Sequence, residues 1–249
     1  MGRFDWTRAG LCIIRSTWDY HLRCPAFLKW AREVAVTQRL CNAPGLIEWN
    51  SDKTYLLALQ ASGLPIVPTV VMSSVDRRPL RELMAKHGWS EIVIKPALGL
   101  ATFGVMAPVG SDRLAAAEKH VSQLLARCDV LVQPFMKSVI TIGERALVFI
   151  SAEYSHAVSK TAFQPLLPAG QAGEVRVEPA ADEAALAAAA ITALDQYTLY
   201  ARVDVVRGDA GEPRLLELEL IEPSLFFAIE PKAVQRFADA VCNLLNGRT

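Results

Sequence analysis

Short apolar runs alternate with amphipathic stretches along the chain, and this pattern predicts strands interspersed with helices. Apolar runs predict strands at residues 11–14, 69–72, 91–95, 130–135, 145–150 and 154–159. Apolar positions three and four residues apart, with Pro, Asn or Gly at the ends, predict helices at residues 27–34, 53–63, 79–87, 112–127, 182–197 and 231–245. Because strand pairs and helices are mixed without a regular βαβ order, the sequence predicts an α+β fold.

The alternation is clearest at residues 200–219, on both sides of Ala210-Gly211. A glycine supplies the positive φ that tight hairpins need, so we expect a β-hairpin centred there. The predicted cross-strand pairs are Asp204 with Glu217 and Arg202 with Glu219. Since side chains alternate between faces, these four share one face. The other face is then apolar and consists of Val203, Val205, Leu216 and Leu218.

Three carboxylates lie on the charged face of this hairpin, namely Asp204, Glu217 and Glu219. Carboxylates so close repel one another unless a cation lies between them, and oxygen ligands of this kind suit Mg²⁺. The alternative is a solvated face on an edge hairpin. A bulge at Pro213 would shift the register by one residue, and the three carboxylates would then no longer share one face.

Composition narrows the class of protein. The chain has 249 residues, of which 52% are hydrophobic and 21% charged, as in ordered globular proteins. Lys plus Arg equals Asp plus Glu at 26 each, so no global field attracts nucleic acid or an anionic membrane, and we expect neither as a partner. The five cysteines form no C-x-x-C pair, which favours buried thiols in a reducing compartment. The polar N-terminus and the lack of a long apolar run predict a soluble, cytoplasmic protein.

Polar residues at strand ends are the other candidates for chemistry. Lys95 ends a buried strand before a loop that contains Gly99 and Gly104, which is compatible with a phosphate clamp, although a strand-end lysine is more often simply solvated. No Walker A motif is present. His156 and Lys160 share a face of their strand, which is compatible with an anion site or with an exposed face.

The segment Gln133-Pro134-Phe135 ends the next strand. Proline removes a ladder donor, so the backbone there turns away or faces something other than a strand, such as the edge of a purine. An ordinary strand end is the alternative. Glu144 opens a strand after Gly143 and is placed to accept hydrogen bonds from ribose hydroxyls.

Taken in order, these motifs resemble the ATP-grasp superfamily, in its glutathione-synthetase-like and D-alanine–D-alanine-ligase-like branch, over residues 50–223. Proteins of this kind clamp ATP between two α+β subdomains. The resemblance implies that residues 97–104 form a lid over the phosphates. It also implies that ATP is bound by Lys53, Lys95, Gln133, Pro134, Phe135, Met136 and Glu144.

The resemblance further implies catalytic and metal-binding roles. Lys160 matches the basic residue near the γ-phosphate, and Arg202 matches the arginine that stabilises the transition state. Asp204, Glu217 and Glu219 match the ligands of Mg²⁺, for which Mn²⁺ is a possible substitute. Glu219 stands where Asn is more usual, which adds a negative charge and should strengthen metal binding. The lid has fewer Gly and Ser residues than in many relatives, which puts its mobility in doubt.

Three segments, residues 15–20, 154–160 and 217–226, resemble the cyclo-ligases that close the D-cycloserine ring from O-ureido-D-serine. This resemblance implies that an amino-acid-like substrate contacts Arg15, Asp19, Tyr20 and His156. The alternative is that Trp18 and Tyr20 only anchor a loop on the core.

The resemblance also predicts a domain division. We expect residues 1–48 to be a remnant of the substrate domain that precedes the ATP-grasp domain, reduced or truncated relative to that of its relatives. Residues 49–135 would form the small ATP-grasp subdomain, and residues 136–249 the large one with the metal site.

The function implied is that of a Mg²⁺-dependent, ADP- and phosphate-forming carboxylate–amine ligase. ATP would convert a carboxylate into an acylphosphate, which an amine nitrogen of the same or another molecule attacks. The expected partners are ATP and a small amino-acid-like substrate, with a homodimer possible. The alternatives are a catalytically inert ATP-binding module and a metal-dependent phosphohydrolase that acts without an amine acceptor.

Overall fold

The structure is a computed structural model, and it describes residues 5–76, 78–99, 102–161 and 173–247. It contains helices and mostly antiparallel sheets, as the sequence predicts. The strands are β1 (Cys12–Ile13), β2 (Leu40–Cys41), β3 (Val70–Met72), β4 (Ile92–Pro96), β5 (Met106–Val109), β6 (Val130–Pro134), β7 (Glu144–Ile150), β8 (Glu153–Lys160), β9 (Glu174–Val177), β10 (Tyr200–Arg207) and β11 (Pro213–Glu219). The helices are α1 (Cys24–Thr37), α2 (Pro44–Asn50), α3 (Tyr55–Ala61), α4 (Leu80–His87), α5 (Leu114–Leu125), α6 (Ser138–Thr141), α7 (Ala181–Thr192) and α8 (Lys232–Leu245).

The larger sheet has five antiparallel strands in the order β11-β10-β7-β8-β9. One of its faces packs on α7 and α3 through apolar side chains that include Leu147, Val203 and Leu218. The apolar half of the other face includes Val148 and Tyr200 and packs on α8. The remaining half of that second face carries the charged residues of β10 and β11.

The smaller sheet has four strands in the order β3-β6-β4-β5. Ile92, Ile94 and Val132 point from it into a separate core, which α4 and α5 cover with residues such as Leu83 and Val121. The apolar side chains of α3, in contrast, lie in the core of the five-stranded sheet. Residues of β4 and β6 line a cavity together with residues of β7 and β11, so the two sheets face each other there.

The N-terminal segment is fixed to the large sheet by one buried asparagine. The Asn42 side-chain amide donates to the carbonyl oxygens of Tyr200 (2.9 Å) and Leu220 (2.8 Å) and accepts from the Leu199 N–H (2.8 Å). Its polar atoms are therefore satisfied by the backbone of β10 and of the segment after β11. This holds the short parallel pair β1–β2 beside the charged face of the large sheet.

The β10–β11 hairpin has the predicted pairs, Asp204 with Glu217 and Arg202 with Glu219, and Gly211 in its turn has φ +85°. A bulge follows Asp204, so Val205 pairs with Leu215. The predicted apolar face is therefore wrong at one position. Leu215 is fully buried in the core, and the extra residue in the bulge, Leu216, lines a cavity instead. The shift lies beyond the carboxylates and leaves their register intact.

The polar segment at residues 50–53 precedes α3, and its side chains bond both the turn and β11. Asn50 is the last residue of α2, and the turn before α3 is closed by Asp52, whose Oδ1 accepts from the Thr54 N–H at 2.9 Å. The Asn50 side chain instead donates to the Leu218 carbonyl (2.7 Å) and accepts from the Leu220 N–H (2.8 Å), which fixes the end of β11.

Several smaller points bear on the sequence analysis. The apolar periodicity did not reveal β5, β9, α2 or α6, which are short. Residues 163–173 are rich in Pro, Gly, Ala and Gln, a composition that predicts a loop, and all but Gly173 lie outside the described residues. Among the described residues, no helix is long and apolar enough to span a bilayer. All five cysteines are free thiols, of which Cys12, Cys24 and Cys41 are buried.

Candidate active site

A cavity of about 200 Å³ lies between the two sheets. Lys95 enters it from β4, and the segment after β6 supplies a mostly apolar wall. Glu144 at the start of β7 and Glu217 of β11 close it from the large sheet. The structure thus brings together all the residues predicted to bind ATP, and the lining includes Lys53, Lys95, Gln133, Pro134, Phe135, Met136, Glu144 and Glu217.

The end of β6 shows why a proline is tolerated at this wall. The ladder between β3 and β6 ends at Val132, so no β3 residue lies opposite Pro134 to require its missing N–H. Pro134 pairs with Ile92 on the other side. Gln133 is buried and donates to the Thr69 hydroxyl at 2.8 Å, and the Phe135 N–H donates to the Glu91 carbonyl at 2.9 Å. The wall is therefore held by its own hydrogen bonds.

The two lysines of the cavity differ in their partners. The Lys53 ammonium lies 2.9 Å from Glu217 Oε1 and donates to the Gly99 carbonyl at 2.6 Å. Although burial opposes it, Glu217 holds the pKa of Lys53 above its ordinary value. Lys95 is also buried, but within the described residues it forms no ion pair, and burial lowers its pKa. A buried cation without an ion-pair partner is destabilising. An anion that enters the cavity would therefore interact favourably with Lys95.

Lys160 connects two carboxylates on the charged face of the large sheet. Its ammonium lies 2.9 Å from Asp204 Oδ2 and also contacts Glu144, its cross-strand partner. These carboxylates outweigh burial and hold the pKa of Lys160 above its ordinary value. Burial, followed by repulsion from Asp204, raises the pKa of Glu144 to about 7. Lys160 therefore stays protonated at neutral pH, next to Glu144 in the lining of the cavity between the sheets.

Arg202 binds the other side of Asp204. Its Nε and Nη2 donate to Asp204 Oδ1 and Oδ2, each at 2.9 Å, and its guanidinium also contacts Glu219. The Phe226 ring lies under the guanidinium, with 5.8 Å between the guanidinium carbon and the ring centroid. Despite burial, the cations Arg202 and Lys160 hold the pKa of Asp204 below its ordinary value. Asp204 is thus a buried carboxylate anion between two cations.

The predicted metal ligands share a face, as the register requires, but each is paired with a cation. Asp204 contacts Arg202 and Lys160, Glu217 contacts Lys53, and Glu219 contacts Arg202. In the part of the chain that the structure describes, no three His, Cys, Asp or Glu side chains are gathered as a metal site. The donor set is nonetheless all carboxylate oxygen, which fits Mg²⁺, so the metal site stays a prediction.

Sequence reasoning missed Glu222. It is 5% exposed, and its Oε2 atom has no hydrogen-bond partner among the described residues. Burial, followed by repulsion from Glu219, raises its pKa to about 8. If the strand continued past Glu219, alternation would place Glu222 on the face opposite Glu217 and Glu219. However, β11 ends at Glu219, and the chain turns before Pro223. The available signal was a glutamate directly after the apolar pair Leu220-Ile221 and before a proline.

The residues predicted to contact substrate do not form one cluster. Tyr20 lies in a small cavity with Glu219 and Glu222. Arg15 lies in another, of about 320 Å³, beside the segment after Pro223; its Nη2 donates to the Pro223 carbonyl at 3.0 Å, and its buried Nη1 has no partner among the described residues.

The other two predicted contacts lie elsewhere. Asp19 is largely exposed and pairs with Arg23 at 2.7 Å. His156 is fully buried, with its Nδ1 3.0 Å from the Ser155 hydroxyl oxygen. Neither Asp19 nor His156 lines a cavity described here.

Comparison with known proteins identifies similar chains. The profile of the family described as "D-cycloserine synthetase DcsG, N-terminal domain" matches residues 2–42. The cycloserine biosynthesis protein DcsG of Streptomyces lavendulae is 36% identical over 260 residues, which cover 98% of this chain and 86% of that protein. The crystal structure of D-cycloserine synthetase DcsG has a TM-score of 0.88 and 32% identity to this chain, covering 98% of it and 87% of the other chain.

More distant structures share the fold alone. The D-alanine–D-alanine ligase of Bacillus anthracis complexed with ATP has a TM-score of 0.67 at 16% identity, covering 95% of this chain and 79% of its own. The ATP-grasp ligase PsnB complexed with its minimal precursor has a TM-score of 0.62 at 20% identity, covering 96% of this chain and 79% of its own. These likenesses confirm the predicted α+β, ATP-grasp fold.

Proposed function

This chain belongs to the D-cycloserine synthetase (DcsG) family of ATP-grasp ligases, and from that premise we propose that it joins a carboxylate to a nitrogen at the expense of ATP, forming ADP and phosphate. The observation that carries this proposal is the cavity between the sheets. The buried cation Lys95, the apolar wall at residues 133–136 and the acidic β10–β11 hairpin meet in it. Apolar walls with a few polar groups are typical of small-molecule sites.

ATP occupies this cavity in our proposal, with its base against Gln133, Pro134, Phe135 and Met136. Glu144 accepts from the ribose hydroxyls. The phosphates reach Lys95 and Lys53, because these two are the cations that line the cavity among the described residues. Lys95 forms no ion pair among the described residues, and phosphate oxygens supply the charge that it lacks.

Asp204, Glu217 and Glu219 are the residues that would hold Mg²⁺ beside the phosphates, with Mn²⁺ as a possible substitute. When bound there, the ion neutralises charge on the β- and γ-phosphates. Burial, together with repulsion from Glu217 and Asp204, raises the pKa of Glu219, and a bound cation would relieve this repulsion.

The reaction begins when a substrate carboxylate oxygen attacks the γ-phosphorus and ADP leaves. Lys160 and Arg202 carry the positive charge that this transfer requires, since both stay protonated beside Asp204. A nitrogen then attacks the acyl carbon and phosphate departs, taking the former carboxylate oxygen with it. Burial of these side chains limits the access of water to the acylphosphate.

The substrate in this proposal is a small amino-acid-like molecule. Tyr20 and Arg15 are the best supported of its predicted contacts, because each lines a cavity next to the charged face. Contacts of Asp19 and His156 with the substrate stay predictions, because neither residue lines one of these cavities. The unpartnered Nη1 of Arg15 favours an anionic group nearby.

A coupled ADP-release assay with Mg·ATP tests this proposal. The panel contains O-ureido-D-serine, D-alanine and D-serine, with and without hydroxylamine as a nitrogen acceptor. Substrate-stimulated release of ADP supports a ligase. Binding of ATP with no stimulated release indicates an inert module, and equal phosphate release with and without substrates indicates a phosphohydrolase.

A further inference from the structure

A second, much smaller cavity adjoins the proposed ATP site. Its volume is about 10 Å³, and Lys53, Gly99 and Glu217 belong to its lining as well as to that of the larger cavity. Tyr20 covers it from the N-terminal segment, and Glu222 closes it from the chain after β11. A space of this size holds about one water-sized group. The shared wall places any such group next to the phosphate end of the proposed ATP site.

The walls of this small cavity are rich in hydrogen-bond acceptors. Three glutamates line it, and two of them have cationic partners: Glu217 pairs with Lys53 and Glu219 with Arg202. Glu222 forms no ion pair among the described residues. Glu222 is 5% exposed, and its Oε2 atom has no hydrogen-bond partner among the described residues. A buried carboxylate oxygen without a donor is unusual and costly.

A small partner that donates hydrogen bonds and carries about one positive charge would satisfy Oε2 and stabilise the carboxylate form of Glu222. An ammonium group has these properties, with three N–H donors on one compact centre. A magnesium ion fits less well, because it requires six oxygen ligands and usually keeps several waters, for which this cavity has no room. Burial raises the pKa of Glu222, as expected for a carboxylate that lacks its cation.

We propose that Glu222 binds the ammonium group of the substrate and thereby selects substrates that carry an amine close to the carboxylate to be activated. This inference rests on the proposed function, because it places the amine beside the carboxylate that ATP phosphorylates. Glu222 binds and orients the substrate and takes no part in phosphoryl transfer. The substrate class is therefore an α-amino acid or a close analogue, bound as the ammonium form.

Glu222→Gln tests the inference, since it keeps the shape of the side chain and removes its charge. Glu212→Gln is the matched control, because Glu212 also has a buried Oε2 atom without a partner among the described residues but lies in the β10–β11 turn, away from the cavity. The ligands are O-ureido-D-serine and its analogue with hydrogen in place of the amino group. Dissociation constants with ADP present and KM values from ADP release are measured for both.

For wild type and Glu212→Gln, we expect the amino compound to bind at least tenfold more tightly than the analogue. In Glu222→Gln that preference falls to less than threefold, with KM for O-ureido-D-serine raised about tenfold or more and KM for ATP unchanged. Unchanged ATP binding also shows that the variant is folded.

Three results would overturn the inference: an unchanged preference in Glu222→Gln, an equal loss for both ligands, or a raised Mg²⁺ requirement in place of a raised KM. If wild type shows no preference for the amine, the inference is also wrong. The binding arm needs no turnover. A wild type that prefers the amine but releases no ADP therefore contradicts the proposed function and leaves the ammonium site supported.

Discussion

Lys53 and Lys95 line the same cavity, yet the structure assigns them opposite effects on stability. Lys95→Met removes a buried cation that forms no ion pair among the described residues, so we expect an unchanged or higher free energy of unfolding. Lys53→Met leaves Glu217 without its partner and should cost about 1–3 kcal/mol. Urea unfolding without nucleotide measures both changes.

ATP binding should respond differently to the same two variants. Charge-assisted hydrogen bonds to phosphate contribute about 1.5–3 kcal/mol, so Lys95→Met should raise the dissociation constant for Mg·ATP tenfold or more. Calorimetric titration checks this. If Lys95→Met binds ATP as wild type does, the phosphates lie elsewhere.

Residue-level prediction succeeded where the chemistry is local and failed where it depends on a turn. Lys95, Gln133 and Glu144 are polar residues at the ends of apolar runs, so the sequence alone indicates that they lie at strand ends. Glu222 was not predicted, because the direction of its side chain depends on the path of the chain after β11. Asn42 and Asn50 escaped because their partners, such as Tyr200 and Leu218, are more than 150 residues away in sequence.

At the scale of the element, the bulge in the β10–β11 hairpin separates two adjacent leucines. Leu215 is fully buried in the core, so Leu215→Ala should cost about 2–5 kcal/mol. Leu216 lines the proposed ATP site, so Leu216→Ala should cost about 1 kcal/mol or less but weaken ATP binding. Thermal unfolding and ATP titration compare the two variants, and reversed effects would contradict the register. Alternation alone cannot reveal such a bulge, so the sequence pattern placed Leu216 on the apolar face of the hairpin.

The buried asparagine after α2 gives a second test at this scale. Asn50→Ala leaves the Leu218 carbonyl and the Leu220 N–H without their partner, which should cost about 1–3 kcal/mol for each group left unpaired. Ser62→Ala is the control, since Ser62 follows α3 and its hydroxyl donates to the Leu59 carbonyl within the same turn. A loss no greater than that of the control in urea unfolding would show that Asn50 does not fix β11.

For the molecule as a whole, Glu222 links stability to pH. Its pKa is about 8 in the folded protein against 4.5 ordinarily, so the folded state binds the proton more tightly. The protein therefore pays no penalty below about pH 4.5, loses stability as the pH rises toward 8, and carries the full penalty above that. Glu222→Gln stays neutral, so its stability relative to wild type should rise by on the order of a few kcal/mol between pH 5 and pH 8. Urea unfolding at the two pH values checks the sign, and a constant difference would contradict the burial argument.

The fold as a whole was easier to predict than its internal boundaries. The order of the motifs predicted the ATP-grasp fold, because strand, loop and acidic hairpin each leave a local pattern. How the segments divide is a matter of long-range packing. For example, Lys53 lies just before α3, while Leu56 and Leu59 of that helix pack into the core of the five-stranded sheet, and no local pattern predicts this packing.

The central claim is that ATP activates a carboxylate of the substrate in the cavity between the sheets. It is tested most directly with O-ureido-D-serine labelled with ¹⁸O in both carboxylate oxygens, followed by mass spectrometry of the inorganic phosphate released during turnover. The account predicts one ¹⁸O atom in each phosphate, because that oxygen bridges the acyl carbon and phosphorus before the nitrogen attacks. Phosphate that forms at the same rate but contains no ¹⁸O would contradict it.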